Sequence, residues 1–240
     1  MAQIKGVFFD LGGTLRIAED VPEHQERAKA RMAELAGAGD VSSFIDLVEE
    51  RYKPYRDWAL GENKEAGDYE LWAKWLLPEL PEEKLREICH EMTFQYRQVK
   101  GLRHVVDGGV EVIQTLHAKG YRLGIISNLI GEEEIPNWLR SDGLEQYFDA
   151  LVLSSVCHIR KPDPRMYRMG CEQLGLRPEE CASVADNLNR DITGAKAAGI
   201  GANILFISPE KLKKKTITEE NRPDYIVHRF PEILELPIFK

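Results

Sequence analysis

The sequence predicts a doubly wound α/β fold, a parallel sheet covered by helices on both faces, with an all-helical segment inserted after the first strand. Three observations carry this. Short, near-continuous apolar runs recur along the chain, and helix-period segments lie between most of them. One long stretch, residues 16 to about 102, shows helix period alone. Strands that are apolar on both faces belong to buried parallel sheets, and strands alternating with helices give the layered α/β architecture.

Taken in order, the first run is 4–10 (IKGVFFD), which stops at Asp10 and gives way to the turn Leu11-Gly12-Gly13-Thr14. Further strands are predicted at 121–127, 149–154, 182–186, 202–207 and 224–229, with helices at 109–118, 164–174 and 191–198. The inserted stretch holds four helical segments, HQERAKARMAELA, SSFIDLVEERYKPYRDWAL, YELWAKWLLPEL and EEKLREICHEMTFQYRQV, and no convincing strand. Trp58, Trp72 and Trp75 are expected as core aromatics of this bundle. The expected division is 1–15 plus 103–240 for the sheet domain and 16–102 for the helical one. There is no internal repeat or low-complexity segment.

At 240 residues the chain can bury one large core or a core and a smaller companion. Its net charge of −8 comes with no basic stretch fit to track a phosphate backbone, which argues against a nucleic-acid partner; Lys211 to Lys215 reads as a solvated run. The inserted segment is itself acidic and no platform for a polyanion. An acidic protein binds an anionic substrate by local means: a metal, a lysine or backbone N–H groups. Cys89, Cys157, Cys171 and Cys181 are scattered without a CxxC, so reduced thiols are expected rather than disulfides or zinc. With no charged-then-apolar leader and no long apolar window, the expectation is a cytoplasmic protein without a membrane partner. The six histidines, His24, His90, His104, His117, His158 and His228, show no ligand spacing and read as structural or surface residues.

Ligands of open parallel sheets sit beyond the carboxyl ends of the strands. Asp10, the pair Ser127-Asn128 and Asp186 fall at such ends, and Lys161 in "HIRKPDP" lies just past another. Two carboxylates brought together repel, so one is protonated or a divalent cation lies between them; ligation by oxygen alone suits Mg²⁺.

In this order, "DLGGTL", "SN", "KPDP" and "ADNLNRDITGAKAAG" resemble the four motifs of the haloacid dehalogenase superfamily, and the helical insertion resembles its C1 cap. The resemblance covers essentially the whole chain and implies a Rossmann-like core and a phosphatase-like Mg²⁺ hydrolase of a small phosphorylated substrate. It implies that Asp10 attacks phosphorus to form an aspartyl-phosphate, and that the Gly12 carbonyl ligates Mg²⁺. Gly13 would allow close backbone approach, and Thr14 would hydrogen-bond and orient the nucleophile. Ser127 and Asn128 would bind phosphoryl oxygens while Lys161 offsets charge. Asp186 would complete the metal site, with Asp191 ligating directly or through water. Blander readings stay open: turn or capping residues at Asp10, Ser127, Asn128 and Asp191, and a surface lysine at Lys161.

Phosphatases of this superfamily usually carry a second Asp two residues after the nucleophile, to protonate the leaving alkoxide and then activate water. Here that position is Gly12. Losing a positioned general acid/base costs about 10²–10⁴-fold. The hinge carboxylates Glu19 and Asp20 are candidate substitutes. Alternatively the leaving group needs no proton, or a cap lysine (Lys53 or Lys29) serves a phosphonate-cleaving reaction, or the chain is a non-catalytic metal- and phosphate-binding domain. Asp186 argues against dehalogenation, whose enzymes are metal-free with an uncharged residue there. Arg16 reads as a surface hinge arginine. The loop "AGAGD" (36–40) is a candidate for substrate choice. Tyr52, Tyr55, Trp58, Tyr69 and Trp72 read as core, with an apolar pocket over the site as the alternative.

Overall fold

The computed structural model describes residues 3–240. All six expected strands form one parallel sheet: β1 (Gly6–Phe9), β4 (Arg122–Ser127), β5 (Ala150–Leu153), β6 (Cys181–Ala185), β7 (Ala202–Phe206) and β8 (Tyr225–Val227). Their order is β5-β4-β1-β6-β7-β8, so the chain reverses direction on either side of β1. That is where an open sheet makes its ligand crevice.

Within β1 the side chains alternate between two cores. Val7 and Phe9 pack with Leu123, Ile125, Val184, Ile204 and Phe230 on one face. Phe8 turns to the other, against Ile126, Met166, Tyr167 and Cys171. Burial on both faces is what removed the polar alternation from the sequence. A Cβ at Gly170 would come 2.8 Å from the Phe8 ring, so the glycine lets its helix approach the sheet closely.

The helices are α1 (Pro22–Ala36), α2 (Val41–Glu62), α3 (Asp68–Glu70, running on as a π turn over Leu71–Leu76), α4 (Glu82–Val99), α5 (Gly109–Ala118), α6 (Glu134–Ser141), α7 (Ser154–Cys157), α8 (Pro164–Leu174), α9 (Thr193–Ala198) and α10 (Pro209–Leu212). Helices α1 to α4 have a core of their own around Met32, Val48, Tyr55, Trp72, Leu76 and Met92. Trp72 is fully buried and its indole N–H donates to Thr93 Oγ1 at 2.8 Å, while Trp58 and Trp75 pack at the margin. Asp40 caps α2 by accepting from Ser43 N, and Gly37, at φ +74°, ends α1. No helix among the described residues is long and apolar enough to cross a membrane.

One expectation needs correcting. The stretch read as purely helical begins and ends in strand: β2 (Arg16–Glu19) pairs antiparallel with β3 (Leu102–Val105), Arg16 opposite Val105 and Glu19 opposite Leu102. The expected boundaries at 15/16 and 102/103 therefore fall on a two-stranded ribbon. Four residues, two of them charged and three of them at least partly exposed, carry too little pattern to read as a strand; pairing with partners 83 to 89 positions later creates it.

Candidate active site

Sheet register sets the site. Phe9 is level with Ile125 of β4 and Val184 of β6, so Asp10, Ser127 and Asp186 all emerge at the same end of three adjacent strands. The Asp10 N–H is still tied to Val184 O at 3.0 Å. Past Asp10 the chain folds back at once, with Thr14 N donating to Leu11 O and Arg16 N to the same carbonyl. Gly13 has φ +81°, and a Cβ there would lie 2.6 Å from Asp186 Oδ2. Its glycine is required twice over, by backbone conformation and by the approach of that carboxylate.

Asp10 is buried. Its Oδ1 accepts from Ser127 Oγ at 3.2 Å and from Lys161 Nζ at 2.8 Å. The Lys161 ammonium also donates to Ile126 O at 2.8 Å and stands 2.6 Å from Asp191 Oδ1. Lys161 has no exposed side-chain surface, which removes the surface-lysine reading. Asp191 is likewise fully buried. Burial opposes its charge, but the Lys161 and Arg190 cations hold its carboxyl below the usual aspartate range. Asp186 is the reverse case: burial and the facing Asp10 and Asp191 carboxylates push it up to about 6.

Asp10, Asp186 and Asp191 each offer an oxygen within 4.8 Å of the others, a donor set able to hold a hard divalent cation. The bland capping role for Asp191 is not what the structure has; Asn187 caps that turn by accepting from Arg190 N at 3.0 Å.

Two residues do other work than the resemblance implied. The Asn128 side chain does not project into the site. Its Nδ2 donates to Lys161 O at 3.0 Å and its Oδ1 accepts from Lys161 N at 2.8 Å, a two-bond clasp that fixes the lysine's backbone. Thr14 is fully buried, but its hydroxyl makes no hydrogen bond to Asp10 or to any other described residue. The Asp10 oxygens are already taken by Ser127, Lys161 and Arg190.

Arg190 is the group sequence reasoning missed. Its guanidinium NH2 lies 3.4 Å from Asp10 Oδ2, 3.4 Å from Asp186 Oδ1 and 2.9 Å from Asp191 Oδ2. It supplies positive charge to all three carboxylates at once. No helical spacing announced it: Asp186 lies in the bend after β6 and Arg190 on the turn Leu188–Ile192, with the extended Asn187 between them.

Other expectations fall away. Glu19 and Asp20 are exposed at the far end of the ribbon. Lys53 is exposed and Lys29 pairs with Glu26 at 2.6 Å, so neither is a buried amine. Lys84, at the start of α4, donates to Ala36 O. Loop 36–40 therefore lies at the end of α4 opposite the ribbon, on the order of 20 Å away along that helix. Arg16 is buried, paired with Glu134 at 3.0 Å and stacked over Trp138 at 4.4 Å. His90 is not a lone surface residue; its Nδ1 lies 2.8 Å from Asp68 Oδ2 and 3.5 Å from Glu132.

A buried aspartate gripped by a lysine and a hydroxyl, at the reversal point of a parallel sheet, places the protein among the doubly wound, Rossmann-like α/β proteins that gather their functional groups at the strand ends. More narrowly, the chain belongs to the haloacid dehalogenase-like hydrolases, whose family model matches residues 4–199. It is 29% identical over 231 residues to the glyceraldehyde 3-phosphate phosphatase of Methanothermobacter thermautotrophicus, covering 93% of this chain and 95% of that one. Among solved structures it resembles a phosphatase of the family from Thermococcus onnurineus (TM-score 0.61, 23% identity, 97% of each chain). It also resembles a 2-haloacid dehalogenase from Pseudomonas syringae (TM-score 0.65, 21% identity, 97% of each chain). The fold thus serves both reactions, and the residues of the site must decide between them.

Proposed function

We propose that this protein is a Mg²⁺-dependent phosphatase of small phosphorylated metabolites that works through an aspartyl-phosphate on Asp10, with residues 16–102 acting as a cap over the site. The observation that carries the reading is the grip on Asp10: one oxygen is fixed by Ser127 and Lys161, while Asp186 and Asp191 converge on the same carboxylate. Lys161 and Arg190 offset two of the three carboxylate charges gathered here, which leaves one to balance, and the donors are all oxygen. These residues fit a divalent cation. Bound Mg²⁺, with Asp10, Asp186, Asp191 and the Gly12 carbonyl as its donors, would neutralise the phosphate's negative charge.

The chain's own groups do the rest. Lys161 and Ser127 orient Asp10 and face the phosphoryl oxygens. A carboxylate oxygen of Asp10 forms a bond to phosphorus as the ester P–O bond breaks, and the electron pair leaves with the alcohol oxygen. With Gly12 in place of a carboxylate, that oxygen takes its proton from solvent. Water then attacks the acyl phosphate, releasing phosphate and restoring Asp10. Phosphoryl transfer to Asp10 is therefore expected to be slow from basic leaving groups and quick from good ones, after which the phospho-enzyme accumulates because its hydrolysis lacks a base.

The test is hydrolysis of acetyl phosphate, p-nitrophenyl phosphate and glycerol phosphate with Mg²⁺ and with EDTA, alongside 2-chloropropionate as a dehalogenase control. Mg²⁺-dependent release of phosphate, abolished in Asp186→Ala, supports the reading. Chloride release, or phosphate release indifferent to EDTA, refutes it.

A further inference from the structure

A cavity of about 170 Å³ lies between the helical module and the strand-end loops, walled by Tyr52, Tyr96, Arg97, Lys100, Arg103 and Arg160, with Asn128 among the residues on its sheet side. Four of its lining residues are cations and none is a carboxylate. This stands out in a protein of net charge −8. We propose that this cavity is a second anion subsite, so that the substrate carries a carboxylate or second phosphate besides the phosphoryl group that Asp10 attacks. The proposal rests on the phosphatase reading and names the substrate class for it.

The counter-charges lie behind the wall. Arg97 and Arg16 share the single buried carboxylate of Glu134, Arg160 pairs with buried Glu65, and Lys100 pairs at the rim with Glu49. Among the described residues Arg103 makes no salt bridge; Glu134, already shared by Arg97 and Arg16, acts on it only from a distance. Arg103 NH1 donates only to the Arg97 and Gly101 carbonyls, at 2.6 and 3.3 Å. Burial, with Arg97 and Arg16 close by, pulls it down to about 10. A half-buried arginine with that history gains most from an anion placed against it.

Tyr52 and Tyr96 give the cavity aromatic walls, while the Tyr96 hydroxyl itself is buried next to Glu49. A space of about 170 Å³ has room for the tail of a short acid. Asn128 connects the two sites, since the same residue that borders the cavity clasps the backbone of Lys161. An acid held here would lie on the cap side of the phosphoryl position, as the tail of a phosphorylated hydroxy acid does.

The experiment compares kcat/KM for 2-phosphoglycolate and 3-phosphoglycerate with that for ethyl phosphate and glycerol 3-phosphate, in the native protein and in Arg103→Met, Arg103→Lys and Lys100→Met, each checked by its melting curve. The native protein is expected to favour an acid-tailed ester, and Arg103→Met to cut that preference about tenfold to a hundredfold, the value of one charge-assisted hydrogen bond. Arg103→Lys should restore part of it, and Lys100→Met, at the rim, should cost less. Equal rates on both classes, or a preference that survives both methionine variants, overturns the subsite. If none of these esters is hydrolysed, the phosphatase reading is what fails. The subsite is then judged by the rise in melting temperature with 2-phosphoglycolate: a rise lost in Arg103→Met upholds it, and no rise or an unchanged one overturns it.

Discussion

Gly12→Asp tests the most unusual feature of the site, because it restores the carboxylate that the motif lacks. The structure leaves open space where its side chain would start. A Cβ built on Gly12 meets no atom within 4 Å, and Gly12, unlike Gly13, does not adopt a left-handed backbone that a side chain would strain. The module therefore does not fill the space. Nor does another carboxylate stand in, since Glu19 and Asp20 are both exposed on the ribbon. A positioned general acid/base is worth about 10²–10⁴-fold, roughly 3–5 kcal/mol of barrier. That gain should appear on glycerol phosphate, which leaves as a basic alkoxide, and much less on acetyl phosphate, which leaves without help. The added charge close to Asp10 and Asp186 should hold the gain toward the lower end. The assay is kcat/KM across leaving groups of graded acidity, with the lifetime of the phospho-enzyme followed by rapid quench. The native protein should show a steep dependence and a burst with good leaving groups; the variant should flatten the first and shorten the second. Fast, leaving-group-independent turnover of alkyl phosphates by the native protein would refute the reasoning.

Two further outcomes follow from the charges around the site. Arg190→Met removes a cation lying 3.4 Å from both Asp10 and Asp186, so Mg²⁺ should bind about tenfold tighter or better by calorimetry; weaker binding would show that the guanidinium supports the cation rather than competing with it. Glu134 is buried against Arg16 and Arg97; burial opposes its charge, but the neighbouring arginines hold its carboxyl below the usual value near 4.5. Its contribution is therefore complete above that pH and is lost as pH falls through the lower folded value. Glu134→Gln, which leaves the arginines unpaired, should cost about 3–5 kcal/mol at pH 7 in urea unfolding and blunt the acid limb of the stability profile.

The six sheet strands were legible because both their faces are buried, which writes a continuous apolar run into the sequence. Asp10, Asp186 and Lys161 were legible because each follows such a run, whereas Asp191, on the turn Leu188–Ile192, was implied only by the resemblance. What was hidden depended on partners distant in the chain. The ribbon β2–β3 exists only through pairing across the whole insertion. Asn128 looked like a ligand for phosphate until Lys161, 33 residues on, was seen to use both its amide groups. The basic cavity was invisible to a charge count, because its cations come from α4, the residue that follows it, β3 and the loop before α8, and the helical segment as a whole is acidic. Arg16 looked exposed because a charged residue beside a turn usually is; Glu134 and the Trp138 ring bury it.

The central claim is that Asp10 is the group that takes the phosphoryl moiety, and trapping measures this directly. Native protein is mixed with acetyl phosphate and Mg²⁺, quenched in acid, reduced with borohydride and digested for mass spectrometry. Because hydrolysis of the intermediate lacks its usual base, the trapped form should accumulate to a large fraction of the enzyme. The modification should fall on Asp10 alone and vanish in Asp10→Asn. Phosphate release with no modified Asp10, or modification at another residue, would contradict the account.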